Sequence, residues 1–172
     1  DPQGNFNNIA FGKNYKNPRL RLPGTGGIPD VTTFIDHVQL YVPRHSRLTF
    51  VPKLDFLSGL GHHPARVAGR GPTYLVTDLG QFDFGDGSRL EAYMRLTSIH
   101  PGVELGQIQA RTGFEFDIAP DLHETPLPTK IELRLLREEI DPLGIRRLEA
   151  LSGVERRQLL MQIIEIESSS RF

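Results

Sequence analysis

At 172 residues, with 38% hydrophobic and 24% charged residues, the chain is long enough for one soluble globular domain with a sizeable core. Its formal net charge of −1 offers no general field for nucleic acid or an anionic membrane, and no apolar run approaches the ~18–20 residues that cross a bilayer. The absence of cysteine excludes a disulfide framework, a thiolate metal site and a cysteine nucleophile, and cytoplasm is the expected compartment.

In chain order, Asp1-Pro2-Gln3-Gly4-Asn5 reads as a turn between two strands, so the sequence opens as if in the middle of a larger fold. Phe6–Phe11 is a short strand candidate, followed by a polar loop and by Arg19-Leu20-Arg21-Leu22, which alternates as a strand does. Pro23–Asp30 (PGTGGIPD) then places Gly24, Gly26 and Gly27 between two prolines, with Asp30 opening a short helix. His37–Val42 is rich in β-formers, and Leu48–Val51 and Leu54–Leu57 read as two further extended segments. After a glycine-rich loop, Tyr74–Asp78 and Gln81–Phe84 are the clearest strands, and a turn at Gly85-Asp86-Gly87 leads into Leu90–Thr97 as a hairpin. A helix is predicted over Val103–Arg111 with Gly113 at the C′ position, then a last short strand at Phe114–Phe116 and an irregular stretch from Asp117 to Pro128. Thr129 with Glu132 forms a capping box ahead of a helix bearing Ile131, Leu135, Leu136 and Ile140, which Pro142 stops. Ser152–Ile166 is a final helical segment. Strands with helices interspersed imply an α/β domain around one sheet.

The glycine loop is the one stretch that reads as a site. Glycine lets the backbone take positive φ and approach a ligand closely, and successive free N–H groups in such a loop suit an anionic oxygen. Other candidates are weaker. His62-His63 lacks the further converging ligands that a metal needs, so a loop pair is the reading and no metal is expected. His100 stands at a helix start, where local hydrogen bonding is its expected role, and Asp78 reads as a turn residue before Gly80. The charged series Glu132, Arg134, Arg137, Glu138 and Glu139 is a solvated helix face. No G-x-S-x-G elbow, P-loop or dinucleotide fingerprint is present.

Several stretches, in order, match one family. They are Asp1-Pro2-Gln3-Gly4-Asn5, Leu22–Gly27 with Asp30, Val51–Phe56, Tyr74–Phe84, His100-Pro101-Gly102-Val103 and Ala110–Phe114. On these the chain resembles the β (B) subunit of class I CoA-transferases, over roughly residues 1 to 145, with the glutaconate CoA-transferase branch nearest. Residues 146–172 are left as a helical tail. The resemblance implies that the sheet is mixed, with flanking helices, in the α/β fold of the NagB/RpiA/CoA-transferase type, incomplete as a lone chain. It also implies an α (A) subunit as partner in a hetero-oligomer, and coenzyme A as substrate thioester.

In the family a glutamate attacks the acyl-CoA thioester, giving an acyl anhydride and then a glutamyl-CoA thioester, while backbone amides hold the oxyanion. Carried onto this sequence, Gly26 and Gly27 are the expected donors and Gly24 shapes the turn. The nucleophile's position lies upstream of Asp1, so no catalytic residue is assigned here. That carboxylate is expected on a separate or missing N-terminal segment. Transfer on a dicarboxylic, glutaconate-like acyl-CoA is the first expectation. Decarboxylation of a methylglutaconyl-CoA type substrate or CoA-ester hydrolysis on the same fold is the second, and a non-catalytic assembly subunit the third.

Overall fold

The structure, a computed structural model, describes residues 1–85 and 92–169. The chain forms two compact units, Asp1–Thr125 and Pro126–Phe172. Among the described residues of the first unit, a five-stranded mixed sheet runs in the order β3 (Val38–Val42), β4 (Pro72–Thr77), β5 (Gly80–Asp83), β6 (Arg95–Ile99), β7 (Asp117–Glu124). The outer pairs β3–β4 and β6–β7 are parallel, and the inner pairs β4–β5 and β5–β6 are antiparallel. The mixed α/β architecture is therefore as the sequence implied. A separate two-stranded ribbon pairs β1 (Ala10–Phe11) with β2 (Leu20–Arg21).

The inner strands fold as their alternation dictates. Along β4 to β6 the buried positions Leu75, Thr77, Phe82, Leu96 and Ser98 alternate with half-buried ones. Leu75, Phe82, Met94 and Leu96 join Phe50, Phe84 and Ile108 of helix α2 (Leu105–Arg111) in one apolar cluster. Across β5 and β6, Asp83 and Arg95 are paired in register and joined by two hydrogen bonds of 2.7 and 2.8 Å. Burial pushes the Asp83 carboxyl up, but the Arg95 bonds outweigh it and hold the group below its usual range.

Three sequence expectations change. Neither Leu48–Val51 nor Leu54–Leu57 is a strand: the first lies in a turn closed by Thr49 N–H and Phe50 N–H on the Ser46 carbonyl, and the second is irregular. Phe114–Phe116 is not a strand; the strand is β7, within the stretch read as irregular. Its polar sequence, with Pro120 inside it, suits an edge strand, where one row of N–H groups has no partner to serve. Gly113 stands at C′, but its role is close approach: a Cβ there would overlap the Phe50 carbonyl that its N–H meets at 2.9 Å. The predicted turn at Asp86-Gly87, Leu90 beyond it, and Ser170 and Arg171 lie outside the described residues.

In the second unit the capping box forms as read. Glu132 N–H donates to the Thr129 hydroxyl at 3.2 Å, and the Glu132 carboxylate takes the Thr129 N–H at 2.7 Å. Helix α3 (Lys130–Arg134) continues into a π-helical turn, Leu135–Ile140. After α4 (Arg147–Ala150), helix α5 spans Gly153–Ser169.

Two substitutions test this account. Phe82→Ala removes a fully buried ring and is expected to lower unfolding free energy by about 3–5 kcal/mol in urea titration. Thr129→Ala is expected to cost the α3 cap about 1 kcal/mol, read as faster amide exchange in its first turn.

Candidate functional site

The site is built on the turn Asp1–Asn5. The Asp1 carboxylate accepts from the N–H groups of Gln3 and Asn5 at 3.1 and 3.0 Å and from the Asn5 side-chain amide at 3.0 Å. The other end of the Asn5 side chain, its Oδ1, accepts from Gly61 N–H at 2.7 Å. Asn5 is only 3% exposed, so one amide satisfies two buried segments at once. Positive φ at Gly4 (73°) turns the chain where a Cβ would come within 2.7 Å of Pro72 and 2.8 Å of Phe84. From this anchor the chain runs past Phe6, whose carbonyl takes N–H bonds from Ser58 and Gly59. It reaches Asn8, whose carbonyl accepts from Gly24 N–H at 3.0 Å.

That last bond hangs the glycine loop on the anchored segment. Gly24 and Gly26 have φ of 109° and 51°, and a Cβ on Gly24, Gly26 or Gly27 would meet nothing within 4 Å. All three face open space. Gly24 N–H is occupied, which leaves it a shaping role. The N–H groups of Gly26 and Gly27 donate to no acceptor among the described residues, whereas Ile28 N–H folds back on the Thr25 carbonyl at 3.1 Å. Helix α1 (Ile28–Phe34) follows with Gly27 at its N-cap and Asp30 in its first turn. Leu60 N–H, bonded to the buried Thr32 hydroxyl at 3.0 Å, ties α1 to the Ser58–Gly61 loop.

Beside the anchor lies a cavity of about 610 Å³, with Leu40, Val42, Leu75, Phe84 and Met94 among its lining and Asp1, Gly4, Asn5 and Asn8 on its wall. Strand β3, which contributes Leu40 and Val42, pairs only with β4 among the described residues. Arg19, Arg47 and Lys53 also line the cavity, and none has a side-chain hydrogen bond or carboxylate partner among the described residues. Asp55 in the same wall is engaged, accepting Gly12 N–H at 2.7 Å.

The histidines singled out in the sequence have structural partners. His62 is buried and its Nε2 donates to the Pro72 carbonyl at 2.7 Å, which fixes the tautomer because a carbonyl only accepts. Burial is the main cause that pushes its pKa down. His63 Nδ1 accepts from Ala65 N–H. Among the described residues no group of three or more His, Asp or Glu converges as a metal site would. His100 bonds locally through its carbonyl, which accepts Val103 N–H at 3.0 Å, while its ring bonds at long range, Nε2 to the Thr77 carbonyl and Nδ1 to the Thr125 hydroxyl, both at 2.9 Å. Asp78 is an exposed turn residue that accepts His45 N–H at 2.7 Å.

Sequence reasoning passed over His45 and Arg66. Each is 3% exposed; Arg66 holds the carbonyls of Leu60, Gly61 and Ala68. Nothing in the local sequence marks either one.

No family model matches the sequence. The chain is 36% identical over 144 residues to the B-type subunit of 3-oxoadipate CoA-transferase from Pseudomonas knackmussii, covering 80% of this chain and 54% of that one. It is also 36% identical over 160 residues to the cholesterol ring-cleaving hydrolase IpdB subunit of Mycobacterium bovis, covering 88% and 61%. Over 80–88% of its length the chain is similar to B-type subunits of the class I CoA-transferase family. Among solved structures, glutaconate CoA-transferase from Acidaminococcus fermentans superposes with a TM-score of 0.70 at 27% identity, over 82% of this chain and 55% of that one. The decarboxylase AibA/AibB superposes with a TM-score of 0.71 at 32% identity, over 89% and 57%. The chain thus spans between half and two thirds of the length of these relatives.

Asn5→Ala tests the anchor. It leaves Gly61 N–H and the Asp1 carboxylate short of a buried partner, and the expected loss is about 1–3 kcal/mol in chemical denaturation. A thermal midpoint unchanged from wild type counts against the anchor.

Proposed function

We propose that this chain is the B-type part of an enzyme acting on an acyl-CoA thioester, and that Gly26 and Gly27 hold the oxyanion formed at the thioester carbonyl. The observation that carries this reading is the pair of unengaged amides in an open loop, suspended from Asn8 at the cavity wall. Preorganised donors need no reorganisation as charge develops, which is why they favour the transition state over the ground state. Gly24 fixes the turn through its bond to Asn8.

The reaction is written as transfer on a dicarboxylic, glutaconate-like acyl-CoA. A carboxylate adds to the thioester carbonyl, and the tetrahedral adduct collapses with cleavage of the C–S bond, expelling CoA as thiolate and leaving a mixed acyl anhydride. Thiolate then attacks the enzyme-side carbonyl of that anhydride, releasing the acyl carboxylate and leaving an enzyme thioester. The attacking carboxylate comes from polypeptide outside these 172 residues. The open flank of β3 and the apolar cavity floor favour further polypeptide packing there, and an A subunit completes a hetero-oligomer. Arg19, Arg47 and Lys53, unpaired at the cavity among the described residues, suit an anionic ligand, as a dicarboxylic acyl-CoA is. No metal is called for by this chemistry. No helix among the described residues is long and apolar enough to cross a membrane.

A second reading keeps the loop and the thioester but ends in decarboxylation or hydrolysis. It is favoured by the likeness to AibA/AibB and to the IpdB subunit, at 32% and 36% identity. Purified complex with glutaryl- or methylglutaconyl-CoA, with and without acetate, separates the outcomes. Acetyl-CoA shows transfer, CO₂ decarboxylation, and free CoA hydrolysis; binding without turnover shows an assembly subunit.

Gly27→Pro tests the loop. The φ of Gly27 (−82°) is close to what the proline ring takes, and the change deletes an N–H that serves no internal bond. The expected result is a fall in kcat of about 10²–10³ with the thermal midpoint unchanged. Unaltered kcat removes the loop from the reaction.

A further inference from the structure

A second feature stands apart from the glycine loop. The segment Arg44–Val51 is a strap between two hollows. Arg47, Leu48, Thr49 and Phe50 line the large cavity, while Arg47 also lines a shallower one with Thr112 and Gly113. The strap closes on itself through Thr49 and Phe50 N–H to the Ser46 carbonyl, at 2.9 and 2.8 Å. Its far end is held by Gly113 N–H on the Phe50 carbonyl, and its near end by His45 N–H on Asp78.

Between those ends the strap sends the Phe50 ring into the core, and the His45 ring beside it ties the strap to β4 and α2. The His45 imidazole stacks on Phe50 at 3.9 Å and 16°, and lies 5.7 Å from Phe82 of β5. Nε2 meets the Thr112 hydroxyl at 2.9 Å, and Nδ1 meets the Thr77 hydroxyl at 3.2 Å. The hydrogen-bond partners favour the neutral ring with its hydrogen on Nε2. Thr112 spends its hydrogen on the Ile108 carbonyl at 2.8 Å, so it accepts from His45 Nε2–H. Thr77 Oγ1 already accepts N–H groups of Leu79 and Gly80 at 3.1 and 3.2 Å. Its one hydrogen has two acceptors in reach, Nδ1 at 3.2 Å and the Gly80 carbonyl at 3.3 Å, and a proton on Nδ1 would bring a third N–H to an oxygen that already accepts two.

We propose that His45 is a proton-sensitive clasp: neutral, it pins the strap to β4 and α2, and protonated, it lets the partition between the two hollows open. The charged groups around the ring are few. Asp78 at the end of β4 favours the cation, and Arg111 at the end of α2 disfavours it; Phe50, Phe82, Thr77 and Thr112 are neutral. Burial outweighs both and pushes the pKa from 6.5 to about 4. The sign follows. A ring freed by opening takes a proton below about 6.5, while the clasped ring resists until about 4, so the clasp is intact above that window and weakens as pH falls through it.

The test is amide exchange of Thr49, Phe50 and Gly113 in the 172-residue chain between pH 6.5 and 4, corrected for intrinsic exchange. The strap's opening constant is expected to rise by about tenfold per pH unit, while Leu75 and Phe82 on the central strands keep their protection. His45→Phe is the control, because it preserves a ring against Phe50. Thr77 can turn its hydroxyl to the Gly80 carbonyl at 3.3 Å, and Thr112 keeps Ile108. In that variant the opening constant is expected to be flat with pH. A slope of the same size in His45→Phe overturns the proposal, as does a parallel loss of protection in the central strands. In the unmodified chain, an NMR titration of the His45 ring with its midpoint near 6.5 overturns it without reliance on the variant.

Discussion

The Asn5 side chain is the constraint on which the site depends. One amide group closes the Asp1 turn with its nitrogen and takes Gly61 N–H with its oxygen. The two segments it joins are 56 residues apart in sequence, so the bond offsets part of the entropy of closing a long loop. Glycine is required on both sides of the seam. At Gly4 a side chain would strike Pro72 and Phe84, and at Gly61 it would overlap the backbone of Gln3, Gly4 and Asn5. With the seam fixed, the chain has one path past Phe6 to Asn8, and the glycine loop is hung from there. The loop itself makes few contacts, so its position is inherited from a rigid neighbour.

Electrostatics divide along the same line. Acids near the cavity are engaged: Asp1 by main-chain and side-chain amides, Asp55 by Gly12 N–H. The cations there are not, among the described residues, which leaves the local balance positive although the whole chain carries −1. A net charge summed over the sequence conceals that separation.

What the sequence could reveal depended on how far each meaning reaches along the chain. The capping box of Thr129 and Glu132 is a three-residue pattern and forms as read. The dense apolar run Tyr74–Asp78 and the alternating Gln81–Phe84 report buried positions, and they fold into strands β4 and β5. Strand β7 was hidden because an edge position relaxes the demand for apolar alternation, and Pro120 masks it further. Leu48–Val51 misled in the opposite sense: β-forming residues sit in turns, since Phe50 enters the core from a local loop. The glycine loop was legible as backbone freedom, but which amides stay unengaged was not, because Gly24 is bound by a residue 16 positions earlier (24 − 8). His45 lay beyond reach for the same reason, its partners being 32 and 67 residues away.

That the unengaged donors are peptide N–H groups has an evolutionary corollary. A side-chain donor disappears with almost any codon change, whereas a peptide hydrogen survives every replacement except proline. At Gly27, with its ordinary φ and no crowding atom, mutation has little leverage over the hydrogen itself. Such a fixture can outlast a change of chemistry, leaving selection to rework the surrounding side chains while the polar cradle is handed down intact.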